Sequence, residues 1–299
     1  VREELSKKAT RVKDLKDATQ ISVSDTHACA LRKSKQIMCW GSNWSGELGD
    51  GTQEHRFAPV AVQLLDDAVE VTAGHHPTCV RRAGGKVVCW GEGRSGQLGS
   101  GSASVKGMVE VQDMKDAASI TAGEDLSCAV RASGAVACWG AASRGRLGNG
   151  VVSDYVTPQP VKGVAGVTAL ALGDRYSCAV DGNKHLQCWG VPGYSDEDLE
   201  KRGENPTQIP VGEVELVTLK DTTMTVVDKA GASYSDSTYQ FLKEPKKINL
   251  GKVKWVKGGG SFGSALLPSG QVVLWTRDWS KPGEVLKMNL SGLADAVSV

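Results

Sequence analysis

The chain has 299 residues, enough for a large core, and a prior of roughly 150 residues per domain would divide it in two. Lys and Arg total 35 against 34 Asp and Glu, a net charge of +1 that argues against whole-surface attraction to nucleic acid or anionic lipid. No stretch approaches the roughly 18 to 20 apolar residues of a membrane-spanning helix, and Val1-Arg2-Glu3-Glu4 does not read as a signal peptide, so a soluble protein is expected.

Three compositional excesses need a cause: 36 Gly, 8 Trp against 3 Phe, and 8 Cys. In chain order, residues 1–12 read as a charged arm, with the only suggestion of a helical period over Val1 to Lys16. A repeat of about 50 residues then begins. Its cysteines fall into four pairs at one spacing, Cys29 with Cys39, Cys79 with Cys89, Cys128 with Cys138 and Cys178 with Cys188. Each second member is followed by Trp-Gly: Trp40-Gly41, Trp90-Gly91, Trp139-Gly140 and Trp189-Gly190. Upstream of the cysteines lie small, β-branched segments such as Ala68 to Gly74, Ala117 to Gly123 and Val167 to Gly173, which suit a buried inner strand.

Downstream of Trp-Gly, copies one to three share Gly-x4-Gly-x-Leu-Gly-x-Gly, at Gly41 to Gly51, Gly91 to Gly101 and Gly140 to Gly150. This is a tightly turned loop, after which an extended pattern resumes at segments such as Pro59 to Val62. The fourth copy replaces that loop with Val191 to Arg202, an acidic insertion or short helix; the segment 191–208 departs from the repeat. Without cysteine the pattern continues in Thr225 to Asp228 and in Ser264 to Leu266 with Leu274-Trp275, and Leu293 to Val297 starts a further inner strand. Four short strands per unit, about six times over, is the arithmetic of an all-β propeller of six to seven four-stranded blades, which overrules the two-domain prior. The expected units lie near 13–62, 63–112, 113–162, 163–211, 212–250 and 251–292, with 293–299 as an extra strand, in one domain over 13–299.

Placing Cys29 opposite Cys39 pairs Ala30 with Met38 and Leu31 with Ile37, and leaves a three-residue turn at Lys33 to Lys35. Three of the five such turns end in Gly, as a hairpin loop of this length requires at its left-handed residue. Opposed strand residues approach to about 4.5–5.5 Å between Cα atoms, inside disulfide range, so four intrablade disulfides are predicted. Zinc would need closer cysteines or four converging ligands, and helical Cys-x9-Cys hairpins would need helix formers in place of Gly-Gly and Ser-Gly. Reduced core cysteines remain the alternative, although both partners vanish together in copies five and six. Disulfides in a chain of this size point to an oxidising compartment: extracellular, periplasmic or cell surface.

Gly91-Glu92-Gly93-Arg94-Ser95-Gly96 fits the dinucleotide-binding pattern in letters only, because its counterparts in other copies are the repeat's own loop and no helix follows. No nucleophile elbow, no zincin motif and no paired carboxylates outside the acidic insertion appear, so neither an enzyme nor a metal or cofactor is expected. Trp40, Trp90, Trp139, Trp189 and Trp275 recur at one strand position and are expected to pack between blades.

Functional candidates are the residues that break the repeat. The loop between the first two strands of each blade should ring one mouth of the central channel. It reads Asp25-Thr26-His27, His75-His76-Pro77, Glu124-Asp125-Leu126, Asp174-Arg175-Tyr176, Lys220-Asp221-Thr222 and Gly260-Ser261-Phe262. Partner contacts are expected at His27, His75, His76, Glu124, Asp125, Asp174, Arg175, Tyr176 and Phe262. The glycine loop offers a second surface with Trp44, Arg94, Arg144 and Arg146, residue types enriched at interface hot spots.

The succession Ala-Gly-x4-Cys-Ala-Val/Leu, Gly-x-Val-x-Cys-Trp-Gly and Gly-x-Leu-Gly-x-Gly resembles the regulator-of-chromosome-condensation propeller repeat. In particular it resembles the cysteine-containing variety of secreted and surface bacterial proteins and of some plant receptor-kinase ectodomains. The resemblance runs from Lys13 to about Val299, strongly as far as Gly190 and weakly from there to Gln240. It implies a propeller, commonly of seven blades. The functions it spans are nucleotide exchange on a small GTPase, chromatin binding, light sensing, receptor recognition and inhibition of β-lactamase. Such a fold carries many functions, and none of the loop residues above is a transferable motif position. The expectation is a non-catalytic scaffold, secreted or surface-exposed, that engages a protein or glycan through one rim, with no nucleic acid partner. The alternatives are an inhibitor of a secreted enzyme and an intracellular exchange or chromatin-binding propeller.

Overall fold

The computed structural model describes residues 12–190 except 104 and 106, together with 205–220, 223–230, 233–236, 247–248, 252–259, 262–277 and 285–290. Residues 1–11 of the charged arm, residues 191–204 of the 191–208 segment and the extra strand at 293–299 lie outside the described residues, while the end of that segment, Thr207–Gln208, is a strand.

Among the described residues, twenty-four strands form six antiparallel four-stranded sheets, each built from four strands consecutive in sequence. The first comprises β1 (Ala18–Val23), β2 (His27–Arg32), β3 (Ile37–Gly41) and β4 (Arg56–Ala61). The second comprises β5 (Ala68–Ala73), β6 (Pro77–Arg82), β7 (Val87–Gly91) and β8 (Val109–Glu110). The third comprises β9 (Ala117–Ala122), β10 (Leu126–Arg131), β11 (Val136–Gly140) and β12 (Tyr155–Pro160). The fourth comprises β13 (Ala169–Leu172), β14 (Tyr176–Val180), β15 (Leu186–Gly190) and β16 (Thr207–Gln208). The fifth comprises β17 (Val214–Lys220), β18 (Thr223–Asp228), β19 (Ser233–Asp236) and β20 (Lys247–Ile248). The sixth comprises β21 (Trp255–Gly259), β22 (Phe262–Leu266), β23 (Val272–Arg277) and β24 (Val285–Leu290). The eroded fifth copy therefore still forms a blade.

Inner strands β1, β5, β9, β13, β17 and β21 pack each on the next. An inner strand presents unpaired backbone groups on its free edge. Side chains from the preceding blade meet part of that need: Gln20 and Ser22 accept hydrogen bonds from Val71 N and Ala73 N, both at 2.9 Å, and Thr72 accepts one from Ala122 N at 3.0 Å. At the start of the inner strand a repeated ion pair ties it to the end of the second strand: Asp17 with Arg32, Asp67 with Arg82 and Asp116 with Arg131. In the fourth copy Gly166 and Asp181 stand at these positions, so both partners have been lost together.

The register is the one expected from cysteine spacing. Cys29, Cys79, Cys128 and Cys178 lie directly opposite Cys39, Cys89, Cys138 and Cys188, and all four pairs are disulfide-bonded. Their Cα atoms are 4.1 Å apart, closer than the 4.5–5.5 Å anticipated from strand pairing alone. Gly85, Gly134 and Gly270 end their turns with positive φ, and Lys35 and Lys184 adopt the same conformation without being glycine.

The core is distributed between blades. One buried cluster joins Leu126, Cys128 and Val136 of the third blade to Val167, Leu172, Ala179 and Trp189 of the fourth, with Leu147 from the intervening glycine loop. Trp90, Trp139 and Trp189 are fully buried in this way. Trp40 departs from the expected pattern: it is only half-buried, because no described glycine loop of another blade covers it. The side chain of Trp275 lies outside the described residues.

Candidate functional site

The six inner strands surround a channel of about 340 Å³. Its mouth is lined by Asp25, His75, Glu124 and Asp174, the equivalent residue of the first loop in blades one to four. The third strand runs back toward that mouth, since Gly41, Gly91 and Gly140 lie opposite His27, Pro77 and Leu126. The glycine loops therefore spring from the same end of each blade as the mouth loops. The two surfaces that the sequence kept separate form one rim.

Residues of neighbouring repeats brace this rim. Thr26 Oγ1 donates to the His75 carbonyl at 3.0 Å, and His75 N donates to the Gly123 carbonyl at 3.1 Å, so three successive mouth loops are joined in series. His75 Nδ1 lies 3.4 Å from Asp25 Oδ2, and His76 Nδ1 lies 2.7 Å from Asp125 Oδ1. Gln97 Nε2 donates to the same Asp125 oxygen at 3.3 Å. Glu92 stands beside His76 at 3.7 Å and pairs with Arg94 Nε at 3.1 Å. Arg146 donates to the Asp174 carbonyl, joining the third glycine loop to the fourth mouth loop.

The electrostatics follow from these contacts. The hydrogen bond to Asp125 holds His76 above the ordinary imidazole value, and the same bond holds the Asp125 carboxyl below the usual carboxylate range. Arg146 is buried, and desolvation lowers it although several carboxylates oppose the shift. His27 is pushed down to about 4, first by burial and then by the nearby His75.

The glycine loop also accounts for how rim and core are coupled. The backbone carbonyls of Glu47, Gln97 and Arg146 each accept two hydrogen bonds from the following blade. One comes from the hydroxyl of Thr78, Ser127 or Ser177, and the other from the indole of Trp90, Trp139 or Trp189, all at 2.8–3.0 Å. Gly99 follows two residues after Gln97 with φ +68°, and a Cβ there would stand 2.8 Å from Trp139 Nε1. Glycine is required both by the left-handed backbone and by the indole against it. The repeated glycines thus hold the same loop over the next blade's tryptophan.

The predicted site residues divide by location. His75, His76, Glu124, Asp125, Asp174 and Arg175 lie half-buried in the mouth loops, and Arg144 is half-buried in the third glycine loop. Trp44 is 76% exposed and the Arg94 side chain 89% exposed. They flank a groove of about 670 Å³ between the first two blades, further lined by Gln53, Leu64, Glu92 and Met108. His27 and Tyr176, in contrast, are each only 3% exposed. They are the first residues of β2 and β14, and His27 bonds inward to Thr78 Oγ1 at 2.7 Å, so neither presents its side chain to a partner. Phe262 opens β22 instead of sitting in a loop, and its side chain lies outside the described residues, as do Asp221, Thr222, Gly260 and Ser261. Glu92, Gln97 and the channel residue Lys257 were not singled out from sequence; aligning the repeats position by position would have shown them as departures.

Two descriptions of the Regulator of chromosome condensation (RCC1) repeat match the chain, one over residues 18–47 and the other over 36–80 and 133–180. No curated protein sequence matched. Among solved structures, human WBSCR16 is similar at 17% identity and a TM-score of 0.82, with 97% of this chain and 86% of that one covered. Prp20p from Saccharomyces cerevisiae, whose structure is described with its binding properties to Gsp1p and histones, is similar at 18% identity and a TM-score of 0.74, covering 92% of this chain and 77% of that one. The ectodomain of the Physcomitrella patens receptor kinase CR4 is similar at 18% identity and a TM-score of 0.58, with 88% and 64% covered. At these identities the structures speak to the fold alone. The matched segments mark residues 18–80 and 133–180 as RCC1 repeats, and with the blade register and the shared fold they support an RCC1-type β-propeller.

Proposed function

We propose that this propeller is a binding scaffold, without catalysis of its own, that engages a protein partner through the braced rim. The observation that carries this reading is the joining of mouth loops and glycine loops into one surface. Its backbone is tied across blades by Thr26, His75 and Arg146, and it leaves Trp44 and Arg94 standing exposed. A rim fixed before binding loses little conformational entropy when a partner docks, and Trp and Arg are the side chains most often found at hot spots. Prp20p, of the same fold, is described with binding to Gsp1p and histones, which supports a protein as the occupant. Four buried disulfides support an oxidising compartment, so a secreted or surface setting is favoured over the intracellular branch.

The test is a dissociation constant for a partner recovered from the native extracellular medium. Trp44→Ala and Arg94→Ala should each weaken it by about 2 kcal/mol or more, roughly thirtyfold. Lys33→Ala and Asn183→Ala, at the hairpin turns of the opposite end, should leave it unchanged. Equal losses at both ends, or none at Trp44 and Arg94, would overturn the assignment to this rim.

A further inference from the structure

The strand register defines a ring inside the channel. Ser22, Thr72, Thr121 and Ala171 lie opposite Cys29, Cys79, Cys128 and Cys178, while Thr218 lies opposite Thr225 and Lys257 opposite Ser264. These are equivalent positions of six consecutive inner strands, and all six line the bore. One level of the channel therefore carries four hydroxyls, one methyl group and one ammonium.

The hydrogen-bonding state of that ring is one-sided. Ser22 Oγ and Thr72 Oγ1 accept backbone N–H groups of the next blade, which leaves each hydroxyl proton to be donated elsewhere. Lys257 lines the bore with its side chain open to solvent and forms no ion pair with a carboxylate among the described residues, and the surrounding protein draws its ammonium below the usual lysine value by desolvation. The hydroxyls of Ser22 and Thr72 and the Lys257 ammonium are donors that converge on the bore, and such a set complements an anion.

The mouth above adds a second requirement. Gly74 and Gly123 place no side chain in the passage, Ser24 lines it at the same level, and one position farther out Asp25, His75, Glu124 and Asp174 line the entrance. Three residues of extended chain separate the two levels, at most about 10 Å at about 3.3 Å per residue. A simple anion would be repelled at the mouth, and a simple cation would meet Lys257 below. A molecule with opposite charges at its two ends satisfies both levels, because a carboxylate that already accepts one hydrogen bond keeps capacity for more. The volume of about 340 Å³ falls at the small end of the range for small-molecule sites.

We propose that the bore is a binding site for a small zwitterion of the ω-amino acid class, its carboxylate on Lys257 and the hydroxyls of Ser22 and Thr72 and its ammonium among the mouth carboxylates. The site lies beneath the rim and does not rest on the partner-binding reading.

The experiment uses the whole protein and 6-aminohexanoate as probe, with hexanoate and hexylammonium as single-charge controls, measured by titration calorimetry at neutral pH. One 6-aminohexanoate should bind per chain, and each control at least about tenfold more weakly, the effect of losing one charged hydrogen-bonding end. Lys257→Met should weaken the zwitterion by a similar factor, Lys257→Arg should retain it, and Trp44→Ala should not change it. Absence of saturable binding, unchanged binding by Lys257→Met, or hexylammonium binding as tightly as the zwitterion would each overturn the proposal. If Lys257→Met does not fold, the wild-type protein decides: 6-aminohexanoate should slow acetylation of Lys257 by acetic anhydride, read by peptide mass spectrometry, and an unchanged rate refutes the site.

Discussion

Replacing Gly99 by Ala tests the loop that couples blades. The residue has φ +68°, and its added Cβ would meet Trp139 Nε1 at 2.8 Å and Val111 Cγ1 at 2.9 Å. The left-handed backbone alone disfavours Ala by about 1–2 kcal/mol. The contacts add overpacking strain of about 1–3 kcal/mol, since neither the buried indole, bonded to the Gln97 carbonyl at 2.9 Å, nor the valine can retreat freely. The expected loss is about 2–5 kcal/mol. Gly163→Ala provides the control, because its φ of +71° is nearly the same and a Cβ there meets nothing within 4 Å. It should lose only the backbone part, about 1–2 kcal/mol. Urea unfolding of both variants with disulfides intact measures the difference, and Trp139 fluorescence reports whether the indole has moved. If Gly99→Ala is no worse than Gly163→Ala, the glycine serves the turn alone and the interblade argument fails.

Three further outcomes follow from the site and the core. His27 is buried and held at about 4 against 6.5 when free, so the unfolded chain takes up its proton first; stability is full above pH 6.5, falls as pH drops from 6.5 to about 4 by about 3 kcal/mol, and levels below. Thermal unfolding between pH 7 and 4 should show this slope, and His27→Gln should flatten it. For the rim pair the signs differ: raised His76 contributes below the free imidazole value and is lost as pH rises through its folded value, whereas lowered Asp125 contributes above the free carboxylate value and is lost as pH falls through its own. The pair is therefore strongest between those two values, and Asp125→Asn should return the NMR titration of His76 toward the ordinary imidazole value. Protein from its native source, denatured without reductant, should show no free thiol and eight after reduction, and replacing Cys128 and Cys138 together by Ala should remove about 2–3 kcal/mol for a loop closed over 10 residues. Eight free thiols before reduction would remove the basis for an oxidising compartment.

The hairpins were legible in the sequence because their determinants are local. Ten positions between paired cysteines and a three-residue turn leave one register, and the structure has that register in all four cysteine-containing blades. Repetition also made the Gly91 to Gly96 loop recognisable as architecture, since the same glycines recur where no cofactor could be common to all. The ion pairs Asp17–Arg32, Asp67–Arg82 and Asp116–Arg131 share one sequence spacing, but charges 15 residues apart mean nothing until the strands carrying them are known to be adjacent.

By itself, then, the sequence determined the repeat, the four-strand unit, the disulfide pairing and the loops that vary. Those properties depend on contacts within one unit. Only the tertiary structure decided which neighbours each unit meets. It buried His27 against Thr78, brought His76 to Asp125 across 49 residues, covered Trp90, Trp139 and Trp189 while leaving Trp40 half-open, and set Lys257 among the hydroxyls of other blades. The physical reason is that a blade buries its faces against other blades, so the fate of a side chain depends on the volume and polarity of residues about 50 positions away, to which no local spacing refers.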